Sequence, residues 1–211
     1  MKNGEIIREA LVENTIRLIG NFGFEKATTK AIVSDGIDIP GIKMNEVYIY
    51  RIFGSKELLY AEAFNVLDNE LFDCIQKSAI LYAESDLPFR ERMQELFYGI
   101  WYFLLQNEAR CRCYVRYYYS AYFRERSMRA HRKLLQEYEK LLRPIFKDES
   151  DVISIVHAAF MSMLDFSISV YNGDIENNEE NAYHIFNMIY NSLVYYFDDA
   201  VFDMKRDKLV L

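Results

Sequence analysis

The stretch NEVYIYRIFGSKELLYAEAF, Asn45 to Phe64, holds two helical patterns that meet at Gly54-Ser55 with no linker between them. Two helices meeting so abruptly have the form of a docking device. The same short-helix punctuation recurs upstream. Ile7, Leu11, Leu18 and Phe22 recur at intervals of four and seven, which places them on one side of a first helix running to about Phe22. Gly23 follows as a left-handed terminator, and Thr28 as an N-cap whose hydroxyl accepts from exposed backbone N–H groups. A second short helix then runs through about Ser34. In DGIDIPGIKM two glycines and Pro40 break any helix, and Asn45 is placed to cap a third, NEVYIYRIF. Three short helices precede a longer body.

Composition bounds what the body can be. At 211 residues the chain is long enough for one large domain or a small head on a larger body. Just over half of it is apolar, with 8 Gly and 3 Pro, which is the profile of a well-packed, predominantly helical protein. We read no apolar run of the roughly 18 residues that a membrane span needs, and MKNGEIIREALVEN lacks the apolar core of a secretion signal. The expectation is a cytoplasmic protein with no membrane partner. Cys74, Cys111 and Cys113 include no Cys-x-x-Cys pair, so buried reduced thiols are expected rather than disulfides or a zinc site. The net charge of -7 excludes indiscriminate coating of nucleic acid. A local contact surface stays open, although eight basic residues face nine acids before Phe64.

In the third helix, Val47, Tyr50 and Phe53 fall on a common face, which leaves Glu46, Tyr48 and Arg51 to project as reading residues. Through NTIRLIGNFGFEKATTKAI and VYIYRIFGSKELLYAEAF, roughly the first 65 residues, the chain resembles the TetR family of transcriptional regulators. The resemblance implies an all-α fold: a helix-turn-helix head, residues 1–55, on a ligand-binding and dimerisation body, residues 56–211. It also implies phosphate contacts from Thr28, Thr29 and Lys56 and base reading by Tyr50 and Arg51 on the third helix. Lys30, Asn45, Glu46, Tyr48 and Ser55 complete the expected DNA contact set. Elementary electrostatics agrees for Thr28, Thr29, Ser55 and Lys56, because a helix N-terminus with unpaired N–H groups favours a phosphate. Two departures stand out. About ten residues separate Ser34 from Asn45, where a helix-turn-helix usually has 3 to 4. Glu46 puts an acid on the reading face, and Ile52 replaces an aromatic or histidine that the family often sets against phosphate.

Downstream, SKELLYAEAFNVLDNELFDCIQKSAILYA is a long helix with a broad apolar side. The aromatic middle of the chain suggests a chamber for a small apolar or aromatic ligand, with Trp101, Tyr102, Tyr114, Tyr117, Tyr118, Phe160 and Met163 as lining and Arg116 as an orienting cation. Aromatic runs at helical spacing are also what a filled core looks like, and the sequence leaves chamber or core open. Arg110 to Lys133 carries eight basic residues against Glu125, which reads as a solvated helix face, with a nucleic-acid surface as the alternative. The last two helices are apolar around much of their circumference. Val156, Phe160, Met163, Phe186, Ile189, Tyr190, Leu193, Val194 and Phe197 are therefore expected at a homodimer interface, which the resemblance makes a four-helix one.

Neither a Gly-rich phosphate loop, a Gly-x-Ser-x-Gly elbow nor a His-Glu-x-x-His helix occurs, so no enzyme, catalytic residue, metal or cofactor is expected. The reading is a ligand-responsive homodimeric regulator, a repressor by family analogy, on a double-stranded DNA operator. Its competitor is a helical dimer of the same fold that has lost DNA reading and binds a ligand or a protein.

Overall fold

A computed structural model describes residues 3–34, 39, 42–83 and 85–203. The fold is all-α, and no strand occurs among the described residues. Among the described residues ten α-helices follow one another: α1 Asn3–Phe22, α2 Thr29–Ser34, α3 Val47–Phe53, α4 Lys56–Ala83, α5 Phe89–Leu105, α6 Glu108–Tyr118, α7 Met128–Leu142, α8 Val152–Asn172, α9 Glu179–Leu193 and α10 Ala200–Asp203. A single π-helical turn, Phe123–Ser127, precedes α7, and 3-10 turns follow α7 and α9. The breaks fall where the chemistry demands. Gly23 and Gly54 both take φ above +80°, a conformation that L side chains rarely adopt, and so end α1 and α3. Asn107, Asp151 and Asn178 cap α6, α8 and α9, each accepting from the backbone N–H three residues on.

The chain divides into two compact units, Met1–Asn69 with Asn107–His131, and Glu70–Gln106 with Arg132–Leu211. In the first, α1 lies against α6 so closely that a Cβ on Gly20 would stand 2.0 Å from the Ala109 carbonyl oxygen. Arg116 on α6 donates through Nη1 to the Ile19 and Gly20 carbonyls at 2.6 and 2.8 Å, satisfying acceptors that the end of α1 leaves open. Arg110 Nη1 reaches Glu13 at 2.5 Å. Leu11, Ile16, Ile19, Ile32, Ile49 and Leu59 fill the core of this unit. Phe22 is a correction: it is mostly exposed, because the last turn of α1 runs past the core that Ile7, Leu11 and Leu18 enter.

In the second unit α5, α8 and α9 pack together around Phe97, Ile100, Met163, Leu164, Phe186 and Phe197. Tyr171 on α8 donates to the Leu104 carbonyl at 2.6 Å, and Arg90 on α5 donates to Asn187 on α9 at 2.5 Å while lying over the rings of Phe186 and Tyr190. By length and composition α8 is apolar enough to cross a bilayer, with a mean hydropathy of 1.6 over 18 residues, which corrects the expectation that no stretch reaches that mark. Only 22% of that window is buried within the chain. Two apolar rows run along α9, Ile185 with Ile189 and Phe186 with Tyr190, and all four residues are buried within this unit, as is Phe197 beyond the helix. Tyr183 and Met188 on α9 and Val194, Tyr195 and Tyr196 in the turn after it are exposed.

Candidate nucleic-acid interface and ligand cavity

The first unit sets two helix N-termini beside a short exposed helix. Thr28 Oγ1 accepts from Ala31 N at 3.1 Å, so Thr28 caps α2. Ser55 Oγ accepts from Leu58 N at 3.1 Å and caps α4, and Asn45 Oδ1 accepts from Val47 N at 3.0 Å at the start of α3. Tyr60, one turn into α4, donates to the Ala27 carbonyl at 2.5 Å and so ties α4 to the residue before the α2 cap. Burial pushes the Tyr60 hydroxyl well above its ordinary range, which keeps it a donor.

Helix α3 hangs on one residue. Ile49 is fully buried at 0% exposure, with Ile52 and Phe53 half-buried beside it. Val47 and Tyr50 are 66% and 54% exposed, so the face expected to seat α3 is its outer one. The exposed ridge consists of Glu46, Val47, Tyr50 and Arg51, neighbours at spacings of three and four along a helix. Tyr48 is half-buried, and the Arg51 guanidinium lies 4.6 Å from its ring centre, a cation–π contact that limits where the arginine points. Among the expected contacts, Thr28, Lys30 and Asn45 are exposed, and Thr29, Ser55 and Lys56 half-buried. Lys56 Nζ sits 5.5 Å over the Tyr60 ring. Glu46 is not a free acid on the ridge, because its carboxylate accepts the Thr29 hydroxyl at the start of α2. Of the inserted stretch, 35–38, 40 and 41 lie outside the described residues; Ile42 N–H donates to the Ile39 carbonyl at 3.0 Å.

The aromatic residues expected to wall a chamber pack against one another in this unit. The Tyr117 ring stacks on Phe64 at 4.8 Å, Tyr118 sits 4.5 Å from Phe123, and Tyr114 lies 5.0 Å from Phe64. Arg116, expected to orient a ligand, donates to α1 carbonyls. At the centre is a buried polar node. Asp68 accepts from the Tyr114 hydroxyl at 3.1 Å and pairs with His131 Nδ1 at 3.0 Å, while His131 Nε2 is buried with no hydrogen-bond partner among the described residues.

A cavity lies in the second unit. It holds about 120 Å3 and is lined by Ile75, Met93, Phe97, Phe160, Met163 and Tyr190, among other residues of α4, α5, α7, α8 and α9. Phe160 and Met163 are the expected ligand residues that line it. Trp101 is buried in the core with its ring stacked on Phe97 at 5.8 Å, and Tyr102 faces outward. Several residues expected at a dimer interface (Val156, Phe160, Met163, Phe186, Ile189, Tyr190, Leu193 and Phe197) line the cavity. Of that set Val194 alone is exposed and does not line it. The sequence reading did not single out Met93, Leu96 and Ile145 as lining; alternation of apolar residues along α5 carries no mark of which ones border a void. Among the described residues no group of three or more His, Cys, Asp or Glu is placed to hold a metal.

No family model matches the chain, and no curated protein matches it. Solved structures do. A TetR family transcription regulator from Marinobacter aquaeolei VT8 superposes with a TM-score of 0.66 at 17% identity, over 90% of this chain and 95% of that one. A TetR-family transcriptional regulator from Haemophilus influenzae RD gives 0.61 at 15% identity, over 94% and 100%. The multidrug binding protein EbrR complexed with imidazole gives 0.59 at 14%, over 86% and 93%. At these identities the likeness is one of fold, and it spans nearly the whole chain.

Proposed function

We propose that this chain, which has the fold of the TetR-family regulators, is a ligand-responsive DNA-binding transcription regulator: a cytoplasmic homodimer that represses from a double-stranded operator. The observation that carries the reading is the outward ridge of α3, with Tyr50 and Arg51 exposed beside the capped starts of α2 and α4. In this division residues 1–55 read DNA and residues 56–211 take the ligand and pair the subunits. Arg51 reads a base edge in the major groove, Tyr50 packs beside it, and Thr28, Ser55 and Lys56 hold phosphates.

Pairing follows from the surface of the second unit. An apolar α8 that its own chain covers so little, together with Met188, Val194 and Tyr195, is stable in water when a second copy covers it. Two heads on one axis then meet half-sites about 34 to 36 Å apart. The effector is small. A cavity near 120 Å3 with an almost wholly apolar wall accepts one ring or a short hydrocarbon chain, as cavities of about 150 Å3 take benzene. The ligand acts by binding one head separation better than the other, since equal affinity for both shifts nothing. No residue is assigned a catalytic role. Selection of bound duplexes from fragments of the protein's own upstream DNA tests the reading: enrichment of one sequence, lost with Arg51→Ala, supports it, and no enrichment at any salt removes it.

Glu46 favours the second reading, a helical dimer that has stopped reading DNA, because an acid on the ridge repels the phosphates that Thr29 would meet. In that case the α3 ridge serves a protein partner, and the same selection returns nothing.

A further inference from the structure

Charge is divided unevenly between the two compact units. The first holds fourteen basic and twelve acidic residues, +2, and the second eleven and twenty, -9. Within the first, Met1–Asn69 alone is at -2, with eight basic residues and ten acids, and the positive balance comes from Asn107–His131, with six and two. Three of those six arginines are occupied. Arg110 pairs with Glu13, Arg112 with Glu108 at 2.6 Å, and Arg116 binds the end of α1. Arg124, Arg126 and Arg129 are exposed, and among the described residues none of them is bonded to an acid.

The backbone holds Arg124 and Arg126 out, and Arg129 follows in the first turn of α7. Phe123–Ser127 is one π-helical turn, a feature frequent at functional positions. Its ends are pinned: Phe123 and Ser127 are buried, and Ser127 Oγ shares a hydrogen bond of 2.9 Å with the Tyr117 hydroxyl. The residues between, Arg124, Glu125 and Arg126, all face solvent. The turn is built onto the candidate reading elements. Tyr122 packs 5.2 Å from Phe24 and 5.5 Å from Tyr60, and Tyr60 is the residue that ties α4 to Ala27 beside the α2 cap. Glu57, in the first turn of α4, is held below the usual carboxylate range by a hydrogen bond to its own backbone N–H, by Ser55, and by the charges of Lys56 and Arg126. Arg126 therefore shares the electrostatic neighbourhood of Ser55 and Lys56.

We propose that the turn between α6 and α7, with the first turn of α7, is a second backbone-contacting element of this protein, in which Arg124, Arg126 and Arg129 bind phosphates of the same DNA duplex that the head reads. The inference rests on the DNA-binding function above and adds a contact to it. Exposed guanidinium groups not bonded to an acid suit phosphates, which they bind bidentately. Their charge offsets the acids of Met1–Asn69, a segment otherwise poorly equipped to hold a polyanion. The contact carries no sequence information and sets affinity and approach.

The test uses the full-length protein and a mixed-sequence 40-base-pair duplex, with affinity followed by fluorescence anisotropy across a salt series. Arg124→Ala, Arg126→Ala and Arg129→Ala combined should weaken binding about tenfold or more at low salt and flatten the plot of log affinity against log salt by about 1 per arginine. The corresponding triple lysine variant should keep the slope. All three side chains are exposed, so circular dichroism and Tm should stay at wild-type values. If the alanine variant binds like wild type while Lys56→Ala weakens binding, the turn touches no DNA and this inference alone falls. If the wild-type protein binds no duplex at any salt, the inference and the proposed function fall together. Capture of an acidic protein by the turn, with duplex affinity unchanged in the alanine variant, overturns it as well.

Discussion

Gly20→Ala tests the packing that joins α1 to α6. The Cβ would meet the Ala109 carbonyl oxygen at 2.0 Å, its carbon at 2.7 Å and the Ala109 Cα at 2.8 Å, and all three are backbone atoms that no rotamer change can move. Restoring van der Waals separation requires the two helices to part by more than about an ångström, which is the overpacking regime of about 1–3 kcal/mol. The separation also stretches the Arg116 bonds to the Ile19 and Gly20 carbonyls, each a charge-assisted bond of about 1.5–3 kcal/mol. The upper half of the first range, about 2–3 kcal/mol, is therefore expected. Gly4→Ala is the control, because nothing lies within 4 Å of its Cβ position and alanine is the better helix former. Urea unfolding of both variants, read by circular dichroism, should show Gly20→Ala well below wild type and Gly4→Ala at or slightly above it. Equal midpoints for Gly20→Ala and wild type would mean that α1 and α6 do not approach this closely.

Further tests address the polar and charged groups. Glu46→Gln removes a negative charge from the ridge and releases Thr29, so duplex affinity should rise severalfold at low salt, with the gain shrinking as salt screens it; an unchanged or weaker complex removes the repulsion argument. Asp68→Ala leaves His131 and Tyr114 without their common acceptor in the core and should cost about 3–5 kcal/mol in denaturant unfolding, whereas a loss below about 1 kcal/mol would place the node in water. Burial pushes the Cys111 and Cys113 thiols from 9.0 up to about 12. The unfolded chain then ionises first, so stability should fall as pH rises from about 9 to 12, by up to about 1.4 kcal/mol per pH unit for each thiol, an effect that Cys111→Ala and Cys113→Ala together should remove. Ala159→Phe places a ring in the cavity of the second unit and should abolish calorimetric binding of benzene-sized ligands; retained binding would put the ligand elsewhere.

The head was legible in the sequence because its punctuation is local. Gly23, Thr28, Asn45, Gly54 and Ser55 each act within one turn of their own position, and each does what its side chain, or lack of one, allows. The facing of α3 was not legible. In VYIYRIF nearly every position is apolar or aromatic over only seven residues, so no period singles out Ile49, and burial is decided by what α1 and α2 offer to it. The position of the cavity was not legible for a different reason: an aromatic run has the same pattern whether its rings close on one another, as Tyr117 and Phe64 do, or border a void. In α9 the two apolar rows were visible, but whether they meet the same chain or a second copy depends on α5 and α8, whose positions no local pattern encodes.

The central claim is that α3 presents Tyr50 and Arg51 to a groove of duplex DNA. Methylation protection on a duplex selected by the protein reads that directly, because guanine N7 is accessible only from the major groove. The account predicts two protected patches one helical turn apart, both lost with Arg51→Ala. Retarded complexes that leave every guanine open to methylation, or no selectable duplex at all, contradict it.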